Sequence, residues 1–288
     1  MRFIVEVQRF SPPKVSDDLT TGAMITRLLA SLVALPFMQY ACARERTEPV
    51  AIKGMRGVPS SLHDPRHGVK MGVSNDMCDN GKDYLYVDYD GCAEEYTCDP
   101  KDKRTMKRRR EKKRLKSPRK KCRTINKAYR PPHHCMNERI IYDSRIPTYE
   151  GHRPLWPVYG EYKFVPPQRW LHNVEHGATI MLYHPCAPED QVKKLRSLVE
   201  RCVWKHTITP YRNLTLDRPL ALVAWGCSYE MSTVKKSEVV KFIRKHALKG
   251  PEGTLNRDGQ YRYMLLKKSE VPQGSDAHDK NICPFFKT

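Results

Sequence analysis

The sequence predicts an α/β or α+β domain in which two to three helices pack on a single mixed sheet, preceded by a signal peptide, a cysteine-containing segment and a disordered basic tract. Three observations lead there. Short apolar runs such as "ATIMLYHP" and "PLALVAWGC" have the length and character of buried strands. Between and after them lie two stretches whose apolar residues recur every three to four positions, the period of an amphipathic helix. A hydrophobic content of 39% in 288 residues supplies one well-packed core with polar extensions.

The N-terminus is predicted to direct the chain out of the cytosol. Met24 opens "MITRLLASLVALPFMQYACA", with basic Arg27, an apolar run from Leu28 to Met38, and Ala41-Cys42-Ala43 as a small-x-small cleavage site. Residues 1–43 thus read as an N-terminal extension plus signal peptide, with Met24 as the expected start. A membrane anchor through residues 24–43 is the alternative, although Arg27 and Pro36 interrupt a run already short for about 30 Å of hydrocarbon. No other segment is long and apolar enough to span a bilayer, and no retention tetrapeptide ends the chain, so a secreted or extracellular protein is expected.

Nine of the ten cysteines follow residue 43: Cys78, Cys92, Cys98, Cys122, Cys135, Cys186, Cys202, Cys227 and Cys283. In an oxidising path they are disulfide candidates, and their odd number predicts one that is free, bonded to another chain or bound to metal. Cys186 and Cys202 flank a predicted helix whose rise of about 1.5 Å per residue holds them roughly 20 Å apart, so they pair elsewhere. Cys227 reads as a disulfide partner rather than a nucleophile. Asn213-Leu214-Thr215 is a sequon and a candidate glycosylation site.

Residues 44–75, with scattered Pro and Gly and neither hydrophobic period, read as linker. Residues 76–100 place three cysteines around the alternating Tyr84-Leu85-Tyr86-Val87 and an Asp90-Gly91 turn, which predicts a small stapled hairpin. Asp88-x-Asp90-Gly91 lacks the remaining ligands of a calcium loop. Residues 101–123 carry fifteen Lys or Arg against Asp102 and Glu111, thirteen of the chain's net +20 charges. Like charge without apolar periodicity predicts a solvated, disordered tract. Its candidate partners are sulfated glycans or acidic proteins; a cleavage site for dibasic proteases and a spacer without partner are the other readings. No interleaved aromatics or nucleic-acid fold motif accompanies the tract, so no specific nucleic-acid partner is predicted.

The globular domain is expected over residues 124–270, with a tail over 271–288. "RIIYD" (139–143) reads as a strand and "YEGHRPLWPVYGEY" as an aromatic, Pro-rich loop. Pro166-Pro167 and Gly177 bracket a short helix. "ATIMLYHP" is a buried strand. "PEDQVKKLRSLVERCVWKH" has acids in its first turn and Val192, Leu195, Leu198, Val199, Cys202 and Val203 on one stripe, so it is an amphipathic helix. "TITPY" and "PLALVAWGC" are strands, the second central. "SEVVKFIRKHALKG" turns Val239, Val240, Ile243 and Ala247 inward and ends at Gly250, and "QYRYMLL" adds an edge strand. No internal repeat is present.

The short helix carries the chemistry. In "RWLHNVEHG" (169–177), Trp170, Leu171 and Val174 cluster within about 100° on a helical wheel and face the core, whereas His172 and His176 fall on the opposite side. The pair is therefore expected to face solvent or a cleft made by another segment, with Glu175 placed to orient an imidazole or to act as a base. A two-histidine clamp needs a further ligand; His152, the His133-His134-Cys135 cluster and His184 with Cys186 are the nearest candidates. Three imidazoles with an open position suit zinc or copper. His172-x-x-Glu175-His176 also matches the inverted zincin signature, but Glu252, the available downstream carboxylate, sits in a loop and the chain is short for a peptidase.

The tracts "HRPLWPVYGEYKFVPPQRWLHNVEHGATIMLYHPC" and "ITPYRNLTLDRPLALVAWGC" resemble the animal p53-inducible protein 13 family over residues 129–250. More distantly, the G-H, W-x-x-Y-G, H-N-x-E-H-G and A-W-G pattern is similar to a bacterial domain of unknown function. The resemblance implies an association with growth suppression and no established catalysis. The bacterial pattern keeps positions equivalent to His152, His172, Glu175 and His176, which favours His152 as the third ligand. The vertebrate proteins look like type I membrane proteins, whereas this sequence runs to "NICPFFKT" without a second apolar segment, so membrane attachment is not expected. A metal-binding exported domain, an interaction module using the basic tract, and a structural domain whose histidines hydrogen-bond loops are the three classes left.

Overall fold

A computed structural model describes residues 58–112 and 116–286. The predicted extension and signal peptide of residues 1–43 and the first part of the predicted linker lie outside the described residues. The elements are a small hairpin, β1 (His63–Asp64) with β2 (Gly68–Val69), then helix α1 (Pro100–Glu111) and strands β3 (Arg119–Cys122) and β4 (Gly160–Tyr162). Helix α2 (Pro167–Glu175), β5 (Thr179–Tyr183), α3 (Glu189–Glu200), β6 (His206–Pro210), β7 (Leu220–Ala224), β8 (Cys227–Met231), α4 (Lys236–His246) and β9 (Leu265–Lys268) complete the order.

Seven of the described strands form one mixed sheet in the order β3-β8-β7-β5-β6-β4-β9. The β5-β6 and β6-β4 pairs are parallel and the others antiparallel. Side chains alternate across a strand, and that alternation divides the core. Met181, Ile208, Leu220 and Leu222 pack with Leu195, Val199, Val239 and Ile243 of α3 and α4. Ile180, Leu182, Ala221 and Val223 pack with Trp170, Leu171 and Val174 of α2. The sheet is thus a middle layer, with α2 on one face and α3 and α4 on the other. Both edge strands are Lys-rich: all four residues of β3 are exposed, as are Leu266, Lys267 and Lys268 of β9, a composition that discourages edge-to-edge pairing.

The predicted mixed sheet stands with three helices packed on it, α1 is an additional helix in the basic tract, and several local expectations are corrected. The basic tract is ordered on both sides of residues 113–115. Asp99 caps α1 by accepting from the Lys101 N–H at 2.6 Å, Pro100 occupies the first turn, and Arg108, Arg109 and Arg110 sit at the end where the helix dipole favours cations. Met106 is buried, and Arg109 and Arg110 pair with Asp217 and Asp190. One apolar anchor and flanking crosslinks hold what charge patterning alone would leave extended. "PLALVAWGC" is not one strand: Gly226, at φ +67°, turns the chain between β7 and β8. Here a side chain is excluded, since a Cβ would meet the Arg123 carbonyl at 2.9 Å.

The hairpin expected in residues 76–100 does not form; Leu85–Val87 is a single 3₁₀ turn entered from Tyr84 at φ +56°. Asp79 and Asp88 are instead drawn inward by Arg169 and Arg153, which shapes the segment as a loop. "RIIYD" is irregular, with Ile141 79% exposed and no strand beside it. Residues 58–75 are not linker, because Leu62 and Val69 pack against Cys78 and Cys135. The predicted tail is docked over residues 271–286: Phe286 is buried and Asp279 accepts the Trp204 and Lys205 N–H groups. Helix α4 ends at His246, and Leu248 rather than Gly250 takes the left-handed conformation, at φ +61°.

Among the described residues four disulfides join Cys78 to Cys135, Cys98 to Cys186, Cys122 to Cys227, and Cys202 to Cys283, and Cys92 is disulfide-bonded as well. Cys186 and Cys202 therefore find separate partners. No described cysteine is free, which removes the leftover thiol that the odd count predicted. The crosslinks point to an oxidising environment. Among the described residues no helix is long and apolar enough to cross a membrane.

Candidate metal centre

Helix α2 is buried on every side from Arg169 to Glu175. Its apolar face meets the sheet as the wheel predicts. The opposite face is covered by loops, so His172 and His176 are fully buried and do not face solvent. What closes over them is the cleft made by another segment, in fact by three: the β1-β2 hairpin, residues 132–135 and residues 150–156.

Backbone bonds zip these loops together. His133 N–H donates to the His67 carbonyl at 2.8 Å, His134 N–H to the His152 carbonyl at 2.9 Å, and His152 N–H to the Pro132 carbonyl at 3.1 Å. His67, His133 and His152 are thereby aligned beside α2. Two buried guanidinium groups brace the assembly. Arg153 binds Asp88 and the carbonyls of His134, Cys135 and Glu138. Arg169 binds Asp79 and the Leu155 carbonyl. With every carbonyl and carboxylate paired, these buried charges hold the loops instead of repelling them. Asn173 anchors the other side of the helix to the Pro157 carbonyl and to Thr207 of β6.

The donor atoms of His133, His152, His172 and Glu175 all lie within 4.8 Å of one another, and all four residues are buried. Each imidazole is oriented through Nδ1: His133 to the Val69 carbonyl at 2.8 Å, His152 to the Glu150 carbonyl at 3.0 Å, and His172 to the Arg153 carbonyl at 2.7 Å. A carbonyl accepts only, so Nδ1 carries the proton and a neutral ring presents its Nε2 lone pair inward. Glu175 Oε2 stands 3.1 Å from His152 Nε2 and 3.7 Å from His133 Nε2. Zinc bonds of about 2.0 Å in a tetrahedron give ligand separations of about 3.3 Å, so these spacings suit a small divalent ion. The Nε2 atoms of His133 and His172 and Oε1 of Glu175 have no hydrogen-bond partner. Buried polar atoms are rarely left so, and a cation is a group that could satisfy several of them at once.

Electrostatics agree. Burial pushes His133 and His176 below the ordinary imidazole value, and burial with the neighbouring imidazoles His152, His176 and His133 pushes His172 well below it. Burial raises the Glu175 carboxyl, and wherever His133, His152 and His67 carry a proton on Nε2 their hydrogen bonds outweigh burial and lower it.

The group whose donor atoms converge differs from the expected trio of His152, His172 and His176: His133, one of the alternatives, gathers with His152, His172 and Glu175, and these four could hold an ion. His176 faces Glu252 at 3.2 Å instead, beside the ring of Trp156. His134 turns outward to Glu138, and His184 accepts the Cys186 N–H and lies near Asp102, away from the cluster. Glu175 sits among the donor atoms, which is not the inverted zincin arrangement. Sequence reasoning missed His67, whose Nδ1 lies 3.1 Å from Asp64; it fell in a stretch without periodicity, and only Asp64-x-x-His67 within a Pro-containing turn could have signalled it.

Fold and centre together define a disulfide-stapled α/β domain with a buried imidazole–carboxylate cluster on the side of a helix away from its sheet. Residues 133–259, a little under half of the chain, match a family model described as a protein of unknown function (DUF3105). The chain is also similar to tumor protein p53-inducible protein 13 of Mus musculus, 33% identical over 106 residues, covering 36% of this chain and 26% of that protein. The Rattus norvegicus protein of the same name is 32% identical over 94 residues, covering 32% and 24%. The chain thus spans about a quarter of the length of these curated relatives, a distant relationship. No solved structure matches significantly. The family match contains His133, His152, His172, Glu175, His176 and Glu252 but not His67.

Proposed function

We propose that the chain is an exported, disulfide-stapled domain that binds a divalent first-row transition ion, zinc or copper, through Nε2 of His133, His152 and His172 and the carboxylate of Glu175. One observation carries this reading: three buried rings, each held by Nδ1 to a backbone carbonyl, bring their Nε2 atoms together with one buried carboxylate. Carbonyl-oriented imidazoles are the usual outer support of metal ligands. Three neutral nitrogens and one carboxylate suit zinc and copper better than harder ions such as calcium. Export is supported by the disulfides, and the exposure of Asn213 makes its sequon accessible to a glycan.

Full-length protein purified from a secretory host is expected to retain zinc or copper through dialysis, read by elemental analysis. His133→Ala with His172→Ala should weaken retention by a hundredfold or more on the order of ligand-loss effects. Metal-free wild type, or equal metal in the variant, contradicts the reading.

A second reading concerns the basic segment, and its ordering favours it. Lys101, Lys103, Arg104, Lys107, Arg108 and Arg110 are exposed on α1, and Lys120 and Lys121 on the edge strand β3. Such a surface suits sulfated glycans or acidic proteins, with binding that falls as salt rises. Heparin retention that persists after Lys101, Lys103, Arg104 and Lys107 are changed to Ser would dismiss it.

A further inference from the structure

Glu175 presents its two carboxylate oxygens to different neighbours. Oε2 faces His133 and His152, whereas Oε1 lies 3.4 Å from His67 Nε2 and has no hydrogen-bond partner. On the Oε1 side stands a second carboxylate, Glu252. Its Oε1 is 3.9 Å from His67 Nε2, and its Oε2 is 3.2 Å from His176 Nε2. His67, Glu175 and Glu252 offer donor atoms within 4.8 Å of one another. His67 Nε2, both ring nitrogens of His176 and Glu252 Oε2 are buried without hydrogen-bond partners.

This second group is built into the fold. The 248–253 loop is pressed against the end of α2: Glu252 N–H donates to the Glu175 carbonyl at 3.2 Å, and Leu248 N–H to the Gly177 carbonyl at 2.8 Å. Gly250 makes the approach feasible, since a Cβ there would lie 2.0 Å from the Glu175 carbonyl oxygen. His67 is turned inward by Asp64, the carboxylate–histidine arrangement that orients metal ligands. Two carboxylates flank the unpaired His67 Nε2, with His176 on the far side of Glu252, and such carboxylates repel unless a cation lies between them.

We propose that His67, His176 and Glu252 hold a second divalent transition ion, joined to the first by Glu175 as a bridging carboxylate. The proposal rests on the inner site described above and extends it to a two-metal centre. The division of one carboxylate between two donor groups is its main support, because a bridge of that kind spans ions about 3.5–4 Å apart. The outer subsite is the more open: the Glu252 side chain is 16% exposed, whereas those of His133, His152 and Glu175 are wholly buried. It therefore has the readier exchange with solvent and is the position at which a water could be bound.

The test is zinc titration of chelator-stripped, full-length protein, followed by calorimetry and elemental analysis, in wild type, Glu252→Gln, His67→Ala and the His133→Ala, His172→Ala pair. The expected result is about two equivalents in wild type and about one in Glu252→Gln and in His67→Ala, the missing equivalent being the weaker. The equivalent that remains also reports that those variants are folded. About one equivalent in wild type, unchanged by Glu252→Gln and His67→Ala, overturns the second site and leaves the inner one standing. A single equivalent that is lost in Glu252→Gln but kept in the His133, His172 pair overturns both, as does wild type that binds none.

Discussion

Helix α2 has two faces of equal burial and opposite chemistry. Trp170, Leu171 and Val174 meet Ile180, Leu182 and Val223 of the sheet, a cluster of carbon in which the Trp170 indole N–H and the Tyr159 hydroxyl lack partners. His172, Glu175 and His176, one or two residues away, are equally inaccessible, yet about half of the unpaired buried side-chain polar atoms among the described residues gather around them. Burial alone thus does not make a core. The apolar face is complete in the polypeptide, because burying carbon needs no partner atom by atom. The polar face, on the proposed reading, is completed by a cation that these lone pairs hold.

That contrast can be broken most forcefully from the apolar side. Trp170→Ala should cost about 3–5 kcal/mol in urea unfolding, with the same loss whether or not metal is present; a loss confined to the metal-loaded form would couple the faces. Stripping metal from wild type should lower stability by about 3–4 kcal/mol when the ion is present at a few hundred to a thousand times its Kd, whereas Glu175→Gln should respond little to the chelator.

The disulfides sharpen the comparison. Replacing Cys78 and Cys135 by Ala should cost about 2–4 kcal/mol and also weaken metal binding, because that bridge holds the loop bearing His133. Replacing Cys202 and Cys283 should cost a similar amount on the far side of the sheet and leave metal affinity unchanged, by titration.

The smallest effect is that of pH on the metal-free chain. His133, His172 and His176 have folded values below 6.5, so the unfolded chain takes up protons first as pH falls, and stability drops below about pH 6.5. His67 runs the other way. Burial opposes it, but Glu175, Asp64 and Glu252 raise it, so its contribution is full below 6.5 and is lost as pH rises through the raised value. His184, His206 and His246 are likewise lowered by burial, so six imidazoles against one predict a net loss of stability between pH 7.5 and 5.5, read by thermal unfolding.

Much of the scaffold was legible because periodicity reports burial. The stripes of α3 and α4 and the runs of β5 to β7 were read from apolar spacing, and the wheel of α2 separated Trp170 from His172 correctly. It could not say whether the far face meets water or protein, since the covering loops, 58–72 and 132–135, have no period. Polar contacts decided the misread segments. Asp79 and Asp88 look like turn residues until Arg169 and Arg153 are seen to draw them in, and Met106 looks incidental within a run of cations. The ligand set was half legible for the same reason: His172 and Glu175 share a helix, His152 came with the resemblance, but His133 and His67 depend on chain pairings between loops. Glu252 was judged by its loop, and the loop is what delivers it.

X-ray absorption at the metal edge of full-length protein from a secretory host tests the central claim most directly. A first shell of nitrogen and oxygen at about 2.0–2.1 Å, with the outer-shell scattering of several imidazoles, lost in His133→Ala with His172→Ala, is the predicted result. A protein that carries no metal, or one whose ion sits in a sulfur shell, would contradict it.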